Sequence, residues 1–338
     1  MNDIANQLVT LDFYDESQEE SPNLLEHFKK AVVTSRELQS LDLPKREPIL
    51  GSWFLEGDLG FIYGPRGLGK TWLTMHMAKS ISQGTNCGNW ACNTPRPILY
   101  IDGEMPAVAM KERDHSLTRV DGDNFCHLNH EIYFERTGQI LALSDPIQQQ
   151  AILQLCIEME IKVLFLDNIS CLFSGLRENQ ADDWEQVLPW LLQLRRAKIS
   201  VVFVHHSGRA GKEMRGTSRR EDAAFWVIGL SNPIGEPQNN NGARFISRFT
   251  KDRNSPNKDE TSPVEWTFEP SQSGKTSIIC RKADDLDIFE QLLKEGLTNC
   301  SEIAQEMGCS PGKVSKMAAK GIKAGWLNKN GREYEYVV

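Results

Sequence analysis

Residues 64–71 read GPRGLGKT, and their spacing carries the strongest chemical signal in the chain. The segment satisfies the pattern G-x-x-x-x-G-K-[ST], in which Lys70 is followed by the hydroxyl of Thr71. An apolar run ends at Tyr63 and an amphipathic helical pattern begins at Lys70, so backbone N–H groups and a helix N-terminus would converge on an anion. The segment is therefore predicted to hold a polyphosphate. The residues of this predicted loop are Gly64, Pro65, Arg66, Gly67, Leu68, Gly69, Lys70, Thr71 and Trp72.

The loop predicts ATP and Mg²⁺ as the bound groups. Lys70 would reach the β- and γ-phosphates, and the Thr71 hydroxyl would ligate Mg²⁺. Hydrolysis also needs a carboxylate near the metal ion. Asp167 closes the apolar run KVLFLD and would lie at the C-terminal edge of a central strand, where parallel sheets bind ligands. Asp167 is therefore the predicted second ligand of Mg²⁺.

A base that orients the attacking water must come from another strand, because Asn168, and not a glutamate, follows Asp167. Glu104 follows the run ILYID by one glycine and would project beyond the strand end beside the loop. Asp102, two residues earlier, is the alternative base or a structural partner. We favour Glu104 because of its position beyond the strand.

The run SVVFVHH ends in His205 and His206, at the tip of another predicted strand. Two tandem histidines at this edge favour a sensor of the γ-phosphate, although strand-end residues bonded to the backbone would give the same pattern. The next segment, SGRAGKEMRGTSRRED, is rich in glycine and cations, as in a mobile loop that contacts DNA phosphates or in a plain solvated loop. Its predicted DNA-binding residues are Arg209, Lys212 and Arg215.

Lys251 and Arg253 follow the run RFISRFT and are two residues apart, so they would point the same way on an extended strand end. We predict that they are catalytic cations. Surface charges at a strand end are the alternative.

Positioning these residues requires a sheet. Short apolar runs (LGFIY, ILYID, KVLFLD, SVVFVHH, FWVIGL and RFISRFT) alternate with helical patterns. This alternation predicts an α/β fold with a mostly parallel sheet covered by helices. We assign residues 33–283 to this core. Residues 1–32 form a predicted acidic, disordered tail and arm, since residues 1–21 hold six acids and no Lys or Arg.

Residues 284–338 are predicted to form a small winged helix-turn-helix domain. Three helical patterns precede two alternating segments around Asn330-Gly331, a strong hairpin signal. One face of the third helix is cationic, and the opposite face, with Val314, Ala318 and Ile322, should pack. The cationic face fits DNA phosphates, and a protein-docking module is the alternative. Its predicted DNA-binding residues are Lys313, Lys316, Lys320 and Lys323.

Composition and cysteine spacing argue against membrane, secreted and zinc-binding proteins. No apolar run approaches the ~18 residues of a membrane span, so no membrane partner is expected. The N-terminus has neither a basic start nor an apolar core, which favours a cytoplasmic protein. None of the eight cysteines forms a CxxC pair, so a reduced set is expected, and zinc binding by Cys87, Cys92 and Cys126 with His127 or His130 is disfavoured.

Taken together, GPRGLGKT, ILYIDGEMP, LFLDN, the tandem-histidine strand with RGTSRRED, and the K-x-R of TKDRN resemble the RepA-like hexameric helicases of plasmids and mobile elements. The resemblance covers residues 33–255. It implies a RecA-like core, a ring of six copies, ATP hydrolysis at subunit interfaces and translocation on single-stranded DNA. By position, it implies that Glu104 is the base, His206 the sensor and Arg253 a finger that reaches the neighbouring subunit's γ-phosphate.

The sequence thus predicts an ATP-hydrolysing DNA motor, a ring-forming helicase in replication or maintenance of a mobile element. The expected partners are single- and double-stranded DNA, further copies of the chain, and replication or recombination proteins. Two alternatives stay open: a DNA-bound regulatory or loader ATPase that does not unwind, and a recombination ATPase. Nothing in the chain resembles a primase or helicase collar domain, and residues 284–338 have no counterpart in the plasmid helicase core.

Overall fold

The computed structural model describes residues 23–337 apart from 118–123, 176–183, 208–221, 234–241, 272, 308 and 332. The described residues up to Lys45 belong to one compact unit, and those from Arg46 onward belong to a second. In the first unit, α1 spans Leu24–Ala31 and α2 spans Ser35–Ser40. Asn23 and Thr34 cap these helices by accepting backbone N–H groups, as short polar residues do at helix starts.

The second unit contains strands and helices in alternation. Its strands are β1 (Pro48–Leu50), β2 (Phe54–Leu55), β3 (Leu59–Gly64), β4 (Ile98–Asp102), β5 (Phe125–Asn129), β6 (Val163–Asp167), β7 (Ser200–His206), β8 (Trp226–Ser231), β9 (Ala243–Asp252), β10 (Val264–Pro270), β11 (Thr276–Lys282), β12 (Leu327–Asn330) and β13 (Glu333–Tyr336). Its helices are α3 (Lys70–Gln83), α4 (Ala107–Leu117), α5 (His130–Thr137), α6 (Pro146–Glu158), α7 (Ile169–Leu172), α8 (Leu188–Arg196), α9 (Asp285–Lys294), α10 (Cys300–Glu306) and α11 (Pro311–Ala324).

Nine strands form one sheet in the order β11-β10-β9-β8-β3-β7-β6-β4-β5. The strands from β8 through β5 pair in parallel, and β8, β9, β10 and β11 pair antiparallel. The predicted α/β fold with a mostly parallel sheet is therefore confirmed. Strands β5, β10 and β11, which complete the two edges of this sheet, were not predicted from the sequence.

The parallel register aligns the ends of four central strands. Gly64 of β3 lies opposite His206 of β7, and Asp102 of β4 lies opposite Asp167 of β6. Since β6 and β7 also pair in parallel, the C-terminal ends of these four strands lie side by side. Residues far apart in the sequence thereby approach one another.

Helices and loops bury both faces of the sheet, which explains why the central strands are almost continuously apolar. On one face, the ring centroid of Trp53 lies 4.9 Å from Trp226 and 5.0 Å from Trp90. On the other face, Phe61 and Phe203 stack with centroids 5.1 Å apart. Within the described ranges, each helix is too short or too polar to cross a bilayer.

Residues 284–337, the C-terminal module, contain α9, α10, α11 and the β12–β13 hairpin. Ser310 caps α11, Pro311 occupies its first turn, and Gly325 ends it in the left-handed conformation. Val314 and Ala318 pack into the module's own core as predicted. The prediction that Ile322 packs beside them was wrong, because 43% of it is exposed. Gly321 takes that buried place beneath the Trp326 ring.

Gly60→Ala should destabilise the fold, because a Cβ on Gly60 would lie 2.1 Å from the Trp226 indole. Overpacking of this kind costs about 1–3 kcal/mol. Denaturant unfolding measures the loss. The matched control is Gly312→Ala, where only Ser310 Oγ lies within 4 Å, at 3.9 Å. It should be neutral or stabilising by up to about 1 kcal/mol. Equal stability of the Gly60 variant and wild type would contradict this packing.

Candidate active site

The loop between β3 and α3 follows the predicted phosphate-binding pattern. Gly67 and Gly69 adopt φ angles of 74° and 114°, which only glycine takes up readily. Gly69 faces a second constraint, since a Cβ there would lie 2.7 Å from Ala243 Cβ and from the Phe245 ring. The loop backbone therefore depends on glycine for both its path and its packing.

The Lys70 ammonium lies inside the loop. Its Nζ donates to the carbonyl oxygens of Gly64, at 3.0 Å, and Pro65, at 2.8 Å. Only 6% of the residue is exposed. This burial lowers the pKa of Lys70 to about 8, against the opposing effect of the Asp167 and Glu104 charges. A cation that has lost much of its water is thus held where the loop would bind an anion.

The strand-end carboxylate Asp167 adjoins the loop helix. Its Oδ2 accepts hydrogen bonds from Thr71 Oγ1 and Tyr100 Oη, both at 2.8 Å. Burial and the Glu104 charge raise the pKa of Asp167, while its two hydrogen bonds and Lys70 act in the opposite direction. Hydroxyl and carboxylate oxygens side by side fit Mg²⁺, which takes one or two protein ligands and completes its shell with water and substrate phosphates.

Asp102 and Glu104 have different environments. Asp102 is 1% exposed, and its Oδ1 accepts the backbone N–H groups of Glu104, at 2.9 Å, and Met105, at 2.6 Å. Burial, followed by the Asp167 charge, raises the pKa of Asp102 to about 7. In contrast, 58% of the Glu104 side chain is exposed. Asp102 shapes the turn, and Glu104 is available to solvent and ligand.

His206 and Asn168 join Glu104 in a polar group. Asn168 Nδ2 donates to Glu104 Oε2 and lies 3.4 Å from His206 Nε2. The distance from His206 Nε2 to Glu104 Oε2 is 3.9 Å. The neighbouring His205 is fully buried within β7. The pattern of tandem histidines therefore contains one residue in the cleft and one in the interior.

These groups line one cleft of about 380 Å³. Four of its residues did not follow from the sequence: Met105, Pro106, Arg113 and Gly242. The Arg113 guanidinium lies 4.6 Å from the ring centroid of Trp72, and burial lowers the pKa of Arg113. Since α4 has no amphipathic pattern or motif, nothing in the sequence marked Arg113.

Lys251 and Arg253 lie elsewhere. Asp252 pairs with Trp226, which pairs with Gly60, so Arg253 is beside the start of β3. Gly64 is four positions beyond Gly60, or roughly 13 Å along the strand. Arg253 lines a different cavity of about 270 Å³, where its Nη2 donates to the Asp222 carbonyl at 3.2 Å. An extended arginine side chain is too short to reach the loop of its own chain.

The predicted DNA-binding residues fall into two groups. Arg209, Lys212 and Arg215 lie outside the described residues. The α11 lysines are all exposed on the C-terminal module and are not among the residues that line the cleft. Lys313 Nζ forms an ion pair with Asp285 Oδ2 at 2.5 Å. The exposed lysines of this face are Lys313, Lys316, Lys320 and Lys323.

A family model described as AAA domain matches residues 21–212. Among solved structures, the flagellar accessory protein FlaH from Methanocaldococcus jannaschii is 12% identical, with a TM-score of 0.44, and the match covers 66% of this chain and 90% of FlaH. A KaiC-like protein from Pyrococcus horikoshii OT3 is 15% identical, with a TM-score of 0.46, covering 68% and 93% respectively. No curated protein matches the chain.

Proposed function

The chain belongs to the AAA domain family of ATPases, and we propose that it is a RepA-like DNA motor that hydrolyses ATP between identical subunits. The location of Arg253 carries this proposal. The cleft of one chain gathers Lys70, Asp167 and Glu104 at the C-terminal ends of the parallel strands, but Arg253 lies beside the N-terminal end of β3. A second copy that presents its Arg253 would complete the cleft. A closed ring, a homohexamer in the resemblance, gives every cleft such a neighbour.

The proposal assigns a task to each predicted phosphate-binding, metal-binding and catalytic group. The loop N–H groups and Lys70 bind the phosphates, and Thr71 and Asp167 would hold Mg²⁺. The bound Mg²⁺ would supply positive charge to the phosphate oxygens. Glu104 orients the water in line with the γ-phosphate and accepts its proton. Arg253 of the neighbouring subunit stabilises the negative charge that develops on the transferred group, and Lys251 supports it at the same edge.

The contact between Asn168, Glu104 and His206 supports a route from nucleotide to DNA. His206 ends β7, and residues 208–221, with the predicted DNA-binding cations, follow at once. A γ-phosphate that displaces His206 would move the start of this segment, and DNA on the segment would in turn reorient Glu104. This reciprocity supports ATPase stimulation by single-stranded DNA.

We further propose that the C-terminal module is a winged helix that binds duplex DNA through its lysine face. The face lacks Arg, Asn and Gln, so phosphate contacts would dominate over base reading. Such a module suits a cytoplasmic helicase for replication or maintenance of a mobile element. It also favours the second candidate, a loader ATPase that stays on duplex DNA without unwinding it. Strand displacement of a forked duplex distinguishes the two.

Glu104→Gln should retain ATP binding and lose hydrolysis, because the amide cannot accept the proton of water. Asp102→Asn is the matched control, since its Oδ1 can still accept both backbone N–H groups. Nucleotide titration and steady-state turnover measure the two effects. If Asp102→Asn stalls hydrolysis and Glu104→Gln does not, the base is misassigned.

Arg253→Ala should lower turnover by about 10³ or more, as expected of an arginine finger, with nucleotide affinity of the subunit nearly intact. Mixing Arg253→Ala with the loop variant Lys70→Ala should restore part of the activity, because some hybrid interfaces pair an intact loop with an intact finger. Mass spectrometry verifies the mixed assemblies. Mixed assemblies without any recovered turnover would refute a finger that acts between subunits.

Replacing Lys316, Lys320 and Lys323 by glutamine should weaken duplex binding and reduce its salt slope by up to about three units, since each phosphate contact releases about 0.9 counterion. Fluorescence anisotropy across a salt series measures both quantities. The control replaces three exposed lysines of the core, Lys162, Lys258 and Lys275, with the same loss of charge. Equal slopes for both variants would identify the module as a protein-docking domain.

A further inference from the structure

The first residues of strand β9 contact the loop between β3 and α3. Gly242 lines the cleft, and Ala243 and Phe245 pack against Gly69 so closely that a Cβ on that glycine would lie 2.7 Å from each. Any change in the loop that shifts Gly69 toward the sheet must therefore displace β9. The strand is in direct mechanical contact with the site proposed to bind ATP.

The middle of β9 anchors the C-terminal module. Ile246 is 3% exposed and belongs to the module's hydrophobic core. Two residues on, Arg248 donates to Glu295 at the end of α9 and, at 3.2 Å, to Glu306 of α10. The Arg248 and Glu295 side chains are each only 15% exposed. A poorly solvated ion pair is sensitive to the loss of either partner, so this clamp fixes the module to the strand.

The end of β9 carries Arg253. β8 and β10 pair with β9 on its two sides, and Arg253 N donates to the Phe225 carbonyl at 3.0 Å. The pairing with β8 passes over Thr250. The resulting bulge between Arg248 and Lys251 changes the direction of the strand end. β8 pairs with β9 from Ile246 to Asp252, whereas the pairing with β10 ends at Ser247. The bonds to β8 would therefore carry a displacement at Arg248 to Arg253.

We propose that Arg248 is a positioning residue that couples duplex DNA on the C-terminal module to ATP turnover through β9. This inference rests on the proposed finger and on the proposed DNA-binding module. DNA that shifts the module pulls on Arg248 and so resets Arg253 against the neighbouring nucleotide. The Gly69 contact adds the reverse effect, in which nucleotide binding alters the affinity of the module for DNA.

The strand offers a matched control for a merely structural ion pair. Arg244, Ile246 and Arg248 alternate onto the same face of β9. Arg244 Nε also pairs with a carboxylate, Glu265 Oε1 at 2.7 Å, but this partner lies within the sheet. Arg281 also contacts Glu265, so loss of Arg244 leaves that buried acid paired. Arg244→Gln therefore removes from β9 an ion pair whose acidic partner belongs to β10 and not to the module.

The experiment measures kcat and KM for ATP with and without a saturating duplex in wild type, Arg248→Gln, Arg248→Lys and Arg244→Gln. In wild type and Arg244→Gln, duplex should change kcat by about fivefold or more, a typical allosteric coupling, with little change in KM. In the absence of ATP, Arg248→Gln should bind duplex normally, but duplex should no longer change its kcat. Arg248→Lys should recover part of the change in kcat. Glu306→Gln, at a 53% exposed partner, replaces Arg248→Gln if that variant does not fold, and should weaken the response.

An unchanged kcat response in Arg248→Gln or Glu306→Gln with duplex bound would overturn the inference, as would equal loss in Arg244→Gln. Different results would refute the proposed function: wild type that does not bind duplex, or Arg253→Ala that retains full turnover. If wild type binds duplex and Arg253→Ala is inactive, but duplex leaves the wild-type kcat unchanged, the coupling is wrong and the motor proposal stands.

Discussion

The parallel register of four central strands is the constraint on which the site depends. Gly64 faces His206 across β3 and β7, and Asp102 faces Asp167 across β4 and β6, so loop, base, metal ligand and sensor candidates share one edge. A slip of one residue would turn each side chain to the opposite face of the sheet. Packing on both faces prevents that slip, because aromatic rings fill the space over small strand residues such as Gly60.

The same convergence brings three carboxylates together, and their repulsion explains why Asp102 and Glu104 differ in role. Asp102, Glu104 and Asp167 crowd one cleft, and burial with mutual repulsion raises the pKa of Asp102 to about 7. Asp102 is stabilised by two backbone N–H groups and shapes the turn, whereas the exposed Glu104 stays free to act on a ligand. Lys70 supplies the opposing charge. A polyphosphate would complement the charge of Lys70, and a divalent cation would complement the charges of the carboxylates.

The cleft groups that end an apolar run could be predicted, because strand ends of a parallel sheet must meet. The loop, Asp167, Glu104 and His206 follow from that rule. Arg113 could not be found, since α4 carries no periodic signal and its approach to Trp72 is tertiary. Ile322 was placed on the packed face by helical angle alone, but the Trp326 ring selects Gly321 instead. The position of Arg253 also required the structure, because a K-x-R pattern does not tell whether its strand runs antiparallel.

The central claim is that each nucleotide site is completed by the neighbouring subunit. Arg253 lies beside the start of β3, so in a lone chain the proposed finger is away from the loop. Specific ATPase activity across a dilution series, with the assembly state followed by mass photometry, tests this most directly. The account predicts that turnover per chain falls together with the assembled fraction and approaches zero in the monomer. Constant turnover per chain down to a monomeric solution would contradict it.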